Sequence, residues 1–176
     1  MTSAQASVGR SASAESSVQT TPAFSAPSDV VSDLQKVLVD FIDLSLVAKE
    51  AHWNILGPNF RDLHLNLDEL VSVAREGTDE IAERMRALNG IPDGRTAVVA
   101  AGSSLPEFPA GEILTHDAIS HVVEAINATT NTMREVHDRV DEADPTSADL
   151  LHEYIKQLEQ QAWFISAETR RPAAAR

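Results

Sequence analysis

Four stretches of the chain repeat apolar residues at intervals of three and four, the spacing that stacks side chains along one face of an α-helix. The first runs from about Asp29 to Ile55, with Leu34, Leu38, Phe41, Ser45, Ala48, His52 and Ile55 in its stripe. The second, from about Phe60 to Leu88, carries Phe60, Leu63, Leu67, Leu70, Ala74, Gly77, Ile81 and Leu88. The third, from about Ile113 to Asp141, carries Ile119, Val122, Ile126, Thr129, Met133, Val136 and Val140. The fourth, from about Thr146 to Ala167, carries Leu151, Ile155, Leu158, Ala162 and Ile165. No stretch sustains the two-residue alternation of a strand. The pattern predicts an all-α domain over residues 29–168. The punctuation agrees: Ser28 is placed to cap the first helix and Gly57-Pro58 to stop it. Asn89-Gly90 and Pro92 end the second helix, and Asp144-Pro145 supplies a cap and a first-turn proline for the fourth.

The connections decide the topology. The first and third links are short, so helices one–two and three–four are expected as antiparallel hairpins. The middle link, Asn89 to Glu112, holds four glycines and three prolines. A loop of that length in a compact domain calls for a structural reason. A crossover along the full length of a bundle is one, and it leaves helices two and three parallel, the ferritin-like arrangement. Ala97 to Ala101 and Phe108 are placed to pin this crossover to the bundle, with room for a small extra helix.

Outside the helices, residues 1–28 are rich in Ser, Ala, Thr, Gln and Pro and read as a flexible tail, and 169–176 as a short arginine-bearing one. The N-terminus has neither the basic start nor the apolar core of a secretory signal. No apolar run is long enough for a membrane span. A cytoplasmic location is therefore expected. The chain contains no cysteine, which excludes disulfides, zinc–thiolate sites, iron–sulfur clusters and thiol catalysis. Any metal must be held by imidazole and carboxylate. The net charge of −13 disfavours a plain electrostatic grip on phosphate backbones and favours metal cations, although solubility alone accounts for an acidic surface.

Candidate chemistry concentrates on the second helix. His52 falls in the apolar seam of the first, where a lone histidine is usually just a satisfied core residue. The second helix adds His64 and Asp68, then Asp79 and Glu83, each pair at i,i+4 and so able to chelate one ion. Asp68 and Asp79 are eleven residues apart, three turns with little angular drift, so both pairs lie on one face. They are also about 16 Å apart along the axis at 1.5 Å per residue. One ion cannot use both pairs of a single helix. Either each pair serves its own site, or two copies of the helix pack antiparallel about a two-fold axis and His64 and Asp68 of one meet Asp79 and Glu83 of the other. The second arrangement is favoured, because carboxylates gathered at a subunit seam are costly without cations to neutralise them. His52 would complete each site. The di-iron pattern of a single bundle, Glu-x-x-His on two helices, is absent; Asp149-x-x-His152 comes nearest.

The run Lys49-x-x-His52-Trp53-Asn54-x-x-Gly57-x-x-Phe60-x-x-x-His64-x-x-x-Asp68-Glu69, continuing through Asp79-Glu80-x-Ala82-Glu83-Arg84, resembles the signature of the Dps family of miniferritins, the DNA-binding proteins from starved cells. Trp163-Phe164 late in the fourth helix is also similar. The resemblance covers about residues 30–168. It implies a ferritin-like four-helix subunit, a hollow dodecamer and ferroxidase centres at two-fold interfaces. His52, His64 and Asp68 would come from one subunit and Asp79 and Glu83 from its neighbour. It implies oxidation of ferrous iron by hydrogen peroxide, two irons per centre, with Glu83 bridging and ferric mineral stored inside. Trp53 would intercept stray oxidising equivalents or pack the interface. Asp149 and Glu153, in the acidic cluster around the helix three–four turn, are candidates for lining three-fold pores, although a solvated acidic end explains them equally. The nearly uncharged N-terminal tail departs from the lysine-rich tail that often holds DNA in this family, so weak, salt-sensitive DNA binding or none is expected. The rival reading is a nucleoid-associated structural protein that protects DNA and whose metal site merely holds a dimer together.

Overall fold

The computed structural model describes residues 24–171. Its elements are α1 (Ser28–Asn54), β1 (Ile55–Leu56), α2 (Phe60–Ala87), α3 (Thr96–Gly102), β2 (Ile113–Leu114), α4 (Thr115–Ala143) and α5 (Pro145–Ala167). The four long helices are the four predicted from periodicity, and α3 is the small helix of the crossover. Residues 1–23 and 172–176, most of both expected tails, lie outside the described residues.

Each stripe turns inward. Leu34, Leu38, Phe41, Ala48 and Ile55 meet Leu63, Leu67, Leu70 and Ala74 in one core with Ile126, Met133, Leu151 and Leu158. Helix α1 packs on α2 and α4, and α5 packs on both α2 and α4, so the four close into a bundle. Two short strands fix the topology: β1 pairs parallel with β2, Ile55 opposite Ile113 and Leu56 opposite Leu114. The end of α1 therefore meets the start of α4. Helix α2 also starts at that end, so α2 and α4 run parallel, as the ferritin-like fold requires.

The ends of the helices follow local chemistry, with one departure. Ser28 does not cap α1: the helix already includes it, Pro27 precedes it, and its hydroxyl donates to Asp29 at 3.3 Å. At the end of α2, Asn89 takes the left-handed conformation at φ 63°. The Gly90 N–H then donates to Met85 O at 2.8 Å and the Asn89 N–H to Arg86 O at 3.0 Å, the paired bonds of a Schellman stop. Gly90 is needed for space, since a Cβ there would lie 2.7 Å from Val31.

The crossover is tied down along its length. The Gln35 side chain donates to the Asp93 carbonyl and accepts from the Asp93 N–H, both at 2.8 Å. Asp40, buried in α1, accepts from the Ser104 N–H at 2.8 Å and from the hydroxyls of Ser104 and Thr132 at 2.6 Å. Asp43 accepts from Ser103 at 2.5 Å. Val99 of α3 is buried, and Phe108 packs on the core, as expected.

Candidate metal centre

His52 ends the buried stripe of α1 and is 8% exposed. The Gly57-Pro58 turn brings the first turns of α2 back against it. The rings of His52 and His64 stack with centroids 3.6 Å apart and 23° between planes. Each Nδ1 is paired with the other residue's backbone: His52 Nδ1 lies 3.0 Å from His64 O, and His64 Nδ1 lies 3.0 Å from His52 O. A carbonyl only accepts, so each Nδ1 carries the proton and each Nε2 keeps its lone pair for a ligand. Fixing a ligand ring through its other nitrogen is the usual preparation of a metal-binding histidine.

Asp68, one turn after His64, completes the group. One donor atom from each of His52, His64 and Asp68 lies within 4.8 Å of the others. Among the described residues no other group of three metal-ligating side chains is this close. Lys49 donates to Asp68 Oδ1 at 2.5 Å, and His52 Nδ1 lies 3.4 Å from the same oxygen. The hydrogen bond from Lys49 holds the Asp68 carboxyl below its ordinary range. Phe60, in the predicted stripe, is 42% exposed and stacks on His64 with centroids 5.1 Å apart.

The other predicted residues are elsewhere. Asp79 and Glu83 lie further along α2 and do not join the cluster within one chain. Trp53 is 69% exposed beside His52. Trp163 and Phe164 pack on each other near the end of α5, both exposed. Asp149 and Glu153 are exposed on α5, and the hydrogen bond from Lys156 holds Glu153 below its ordinary range. Sequence reasoning gives Lys49 no role of its own. Its only signal is position, one turn before His52.

Two imidazoles and a carboxylate form a donor set suited to iron and its neighbours in the first transition row. The comparisons with known proteins point the same way. A ferritin-like domain family matches residues 31–172. The DNA protection during starvation protein of Agrobacterium fabrum is 35% identical over 143 residues, 81% of this chain and 88% of that one. Among solved structures, Dps from Microbacterium arborescens in its high-iron form superposes with a TM-score of 0.77 at 32% identity, covering 84% of this chain and 99% of that one. DpsA14 from Streptomyces coelicolor superposes with a TM-score of 0.80 at 26% identity, covering 88% and 96%. The motif of α1 and α2, the single long crossover and these matches agree, and the chain belongs to the Dps family of ferritin-like proteins.

Proposed function

We propose that this protein oxidises ferrous iron at centres shared between two subunits and stores the ferric product inside a hollow dodecamer. The cluster of His52, His64 and Asp68 carries the reading. It offers three prepared donors, too few to enclose two irons, while Asp79 and Glu83 stand about 16 Å further along α2. A second copy packed antiparallel brings the missing carboxylates to each cluster. Leu46, Trp53 and Leu65 support such a seam, being large apolar side chains left 56%, 69% and 45% exposed in the single chain.

Iron is the substrate. Each ferrous ion gives up one electron, and the O–O bond of one peroxide accepts both. With two protons the oxygens leave as water, so no hydroxyl radical is released. Lys49 keeps the Asp68 carboxylate ionised, and the His52 and His64 rings hold their lone pairs in place through the backbone. Glu83 bridges the two irons, and Trp53 either intercepts stray oxidising equivalents or packs the seam. Asp149 and Glu153 attract ferrous ions at the entry pores.

Stopped-flow iron oxidation with peroxide, on oligomer purified by size, tests the proposal. Replacing Asp79 and Glu83 with Ala should slow oxidation by at least the roughly 10–100-fold that losing even an outer partner of a metal ligand produces. Unchanged rates would leave only the structural, DNA-protecting reading that the relatives' names carry.

A further inference from the structure

A second pair of histidines lies at the opposite end of the bundle from the candidate iron centre. His137 is near the end of α4 and His152 near the start of α5. Their rings lie 4.3 Å apart between centroids, with 32° between planes. A cleft of about 170 Å³ opens beside them, lined by Arg134, His137, Asp138, His152 and Ile155. Ring stacking explains their approach. It does not explain the nitrogens. His137 Nδ1 lies 3.1 Å from Asp138 Oδ1, and its Nε2 is buried with no hydrogen-bond partner among the described residues. A buried polar atom without a partner calls for an explanation.

The carboxylate accepts the Nδ1 proton and leaves the Nε2 lone pair directed at nothing. A carboxylate behind a histidine, with the far nitrogen free, is the arrangement that orients metal-ligating imidazoles. His152 is exposed, so its ring can turn to admit an ion beside His137. Arg134, the cation that lines the cleft, is drawn aside by its ion pair with Glu159.

The geometry points to a second divalent transition-metal site in each chain, separate from the shared iron centre. His137 Nε2 and His152 supply the imidazoles, water fills the remaining positions, and Asp138 is a positioning residue. Two imidazoles select ions of the Fe(II) and Zn(II) class over Mg(II) and Ca(II), which take oxygen ligands.

Zinc, which has no redox chemistry, is the probe. Calorimetric titration of the full-length assembled protein should show one more zinc per chain than His152→Ala or His137→Ala takes up. Asp138→Asn should keep that stoichiometry but bind about 10–100-fold more weakly. Equal zinc uptake and affinity in the wild-type and His152→Ala proteins would overturn the site. Because replacing His137 could disturb packing, a second readout uses the unsubstituted protein. Anomalous diffraction at the zinc edge from a zinc-soaked crystal should place a peak between His137 and His152, and a map without one there overturns the proposal.

Discussion

Gly77, midway along α2, lies against the ring of Phe41. A Cβ built there would stand 2.4 Å from Phe41 Cε1 and 2.7 Å from Cδ1. The ring has no room to retreat: Phe41 is fully buried, and Tyr154 meets it edge-on at 5.3 Å. Two effects of Gly77→Ala therefore oppose each other. Helix propensity favours Ala by about 1 kcal/mol. Overpacking a closed core costs about 1–3 kcal/mol. The clash with an immobile ring decides the sign, and Gly77→Ala should be less stable by up to about 2 kcal/mol. Denaturant unfolding at fixed protein concentration measures it, and a higher midpoint would show that α1 and α2 can separate freely.

Between elements, carboxylates do the tying. Asp144, at the α4–α5 junction, accepts from the Ser147 hydroxyl and from Arg84 of α2, the latter at 2.7 Å. Burial opposes its ionisation, but the hydrogen bonds from Ser147 and Arg84 outweigh burial and leave its carboxyl below the ordinary range. Asp33 of α1 is held down in the same way: burial raises it, while Arg139 of α4 and then Lys36 lower it further. A depressed folded-state value stabilises the fold at pH above the ordinary carboxylate value of about 3.9. That contribution is lost as the pH falls through the depressed values. Asp144→Asn should lower stability at neutral pH by about 1.5–3 kcal/mol, the usual worth of a hydrogen bond to a charged group. Acid unfolding followed by circular dichroism should also become shallower below about pH 4. An identical acid profile would mean the junction is held by something else.

The helices themselves were legible because their stripes are long and regular, and their ends fell within a few residues of the observed ones. The polar ties were not. Asp33 and Asp40 carry no spacing signal that marks them as buried, and their partners lie up to 106 residues away. The same holds at the candidate centre. The helical spacing of His64 and Asp68 placed them on one face, and His52 stood in the apolar seam of the first helix. The exchange of ring nitrogens for backbone carbonyls depends on how closely the two helices approach at their shared turn, which no spacing encodes. The pair His137 and His152 is separated by a turn between helices and left no periodic trace.

At the scale of the whole molecule, the charge of −13 works against duplex DNA. The positive charges expected of a DNA-holding tail reduce, among the described residues near the C-terminus, to Arg170 and Arg171. Salt links from Lys and Arg to phosphate carry most non-specific affinity, and a protein with fewer of them binds more weakly and with a shallower salt dependence. Repetition over the proposed twelve copies strengthens weak binding only if several copies can touch the duplex at once. A gel-shift series in salt should therefore show either weak retention that disappears at moderate salt or none at all. Tight binding at moderate salt would require a grip that the described surface does not supply.

The crossover between α2 and α4 is fastened near its start by Gln35, midway by Asp40 and Asp43, and at its end by the paired strands. A connection stitched at three points has little slack left to remove. Its length measures the bundle it traverses, so shortening it would strain the frame it holds, and lengthening it would only add thread between stitches already drawn.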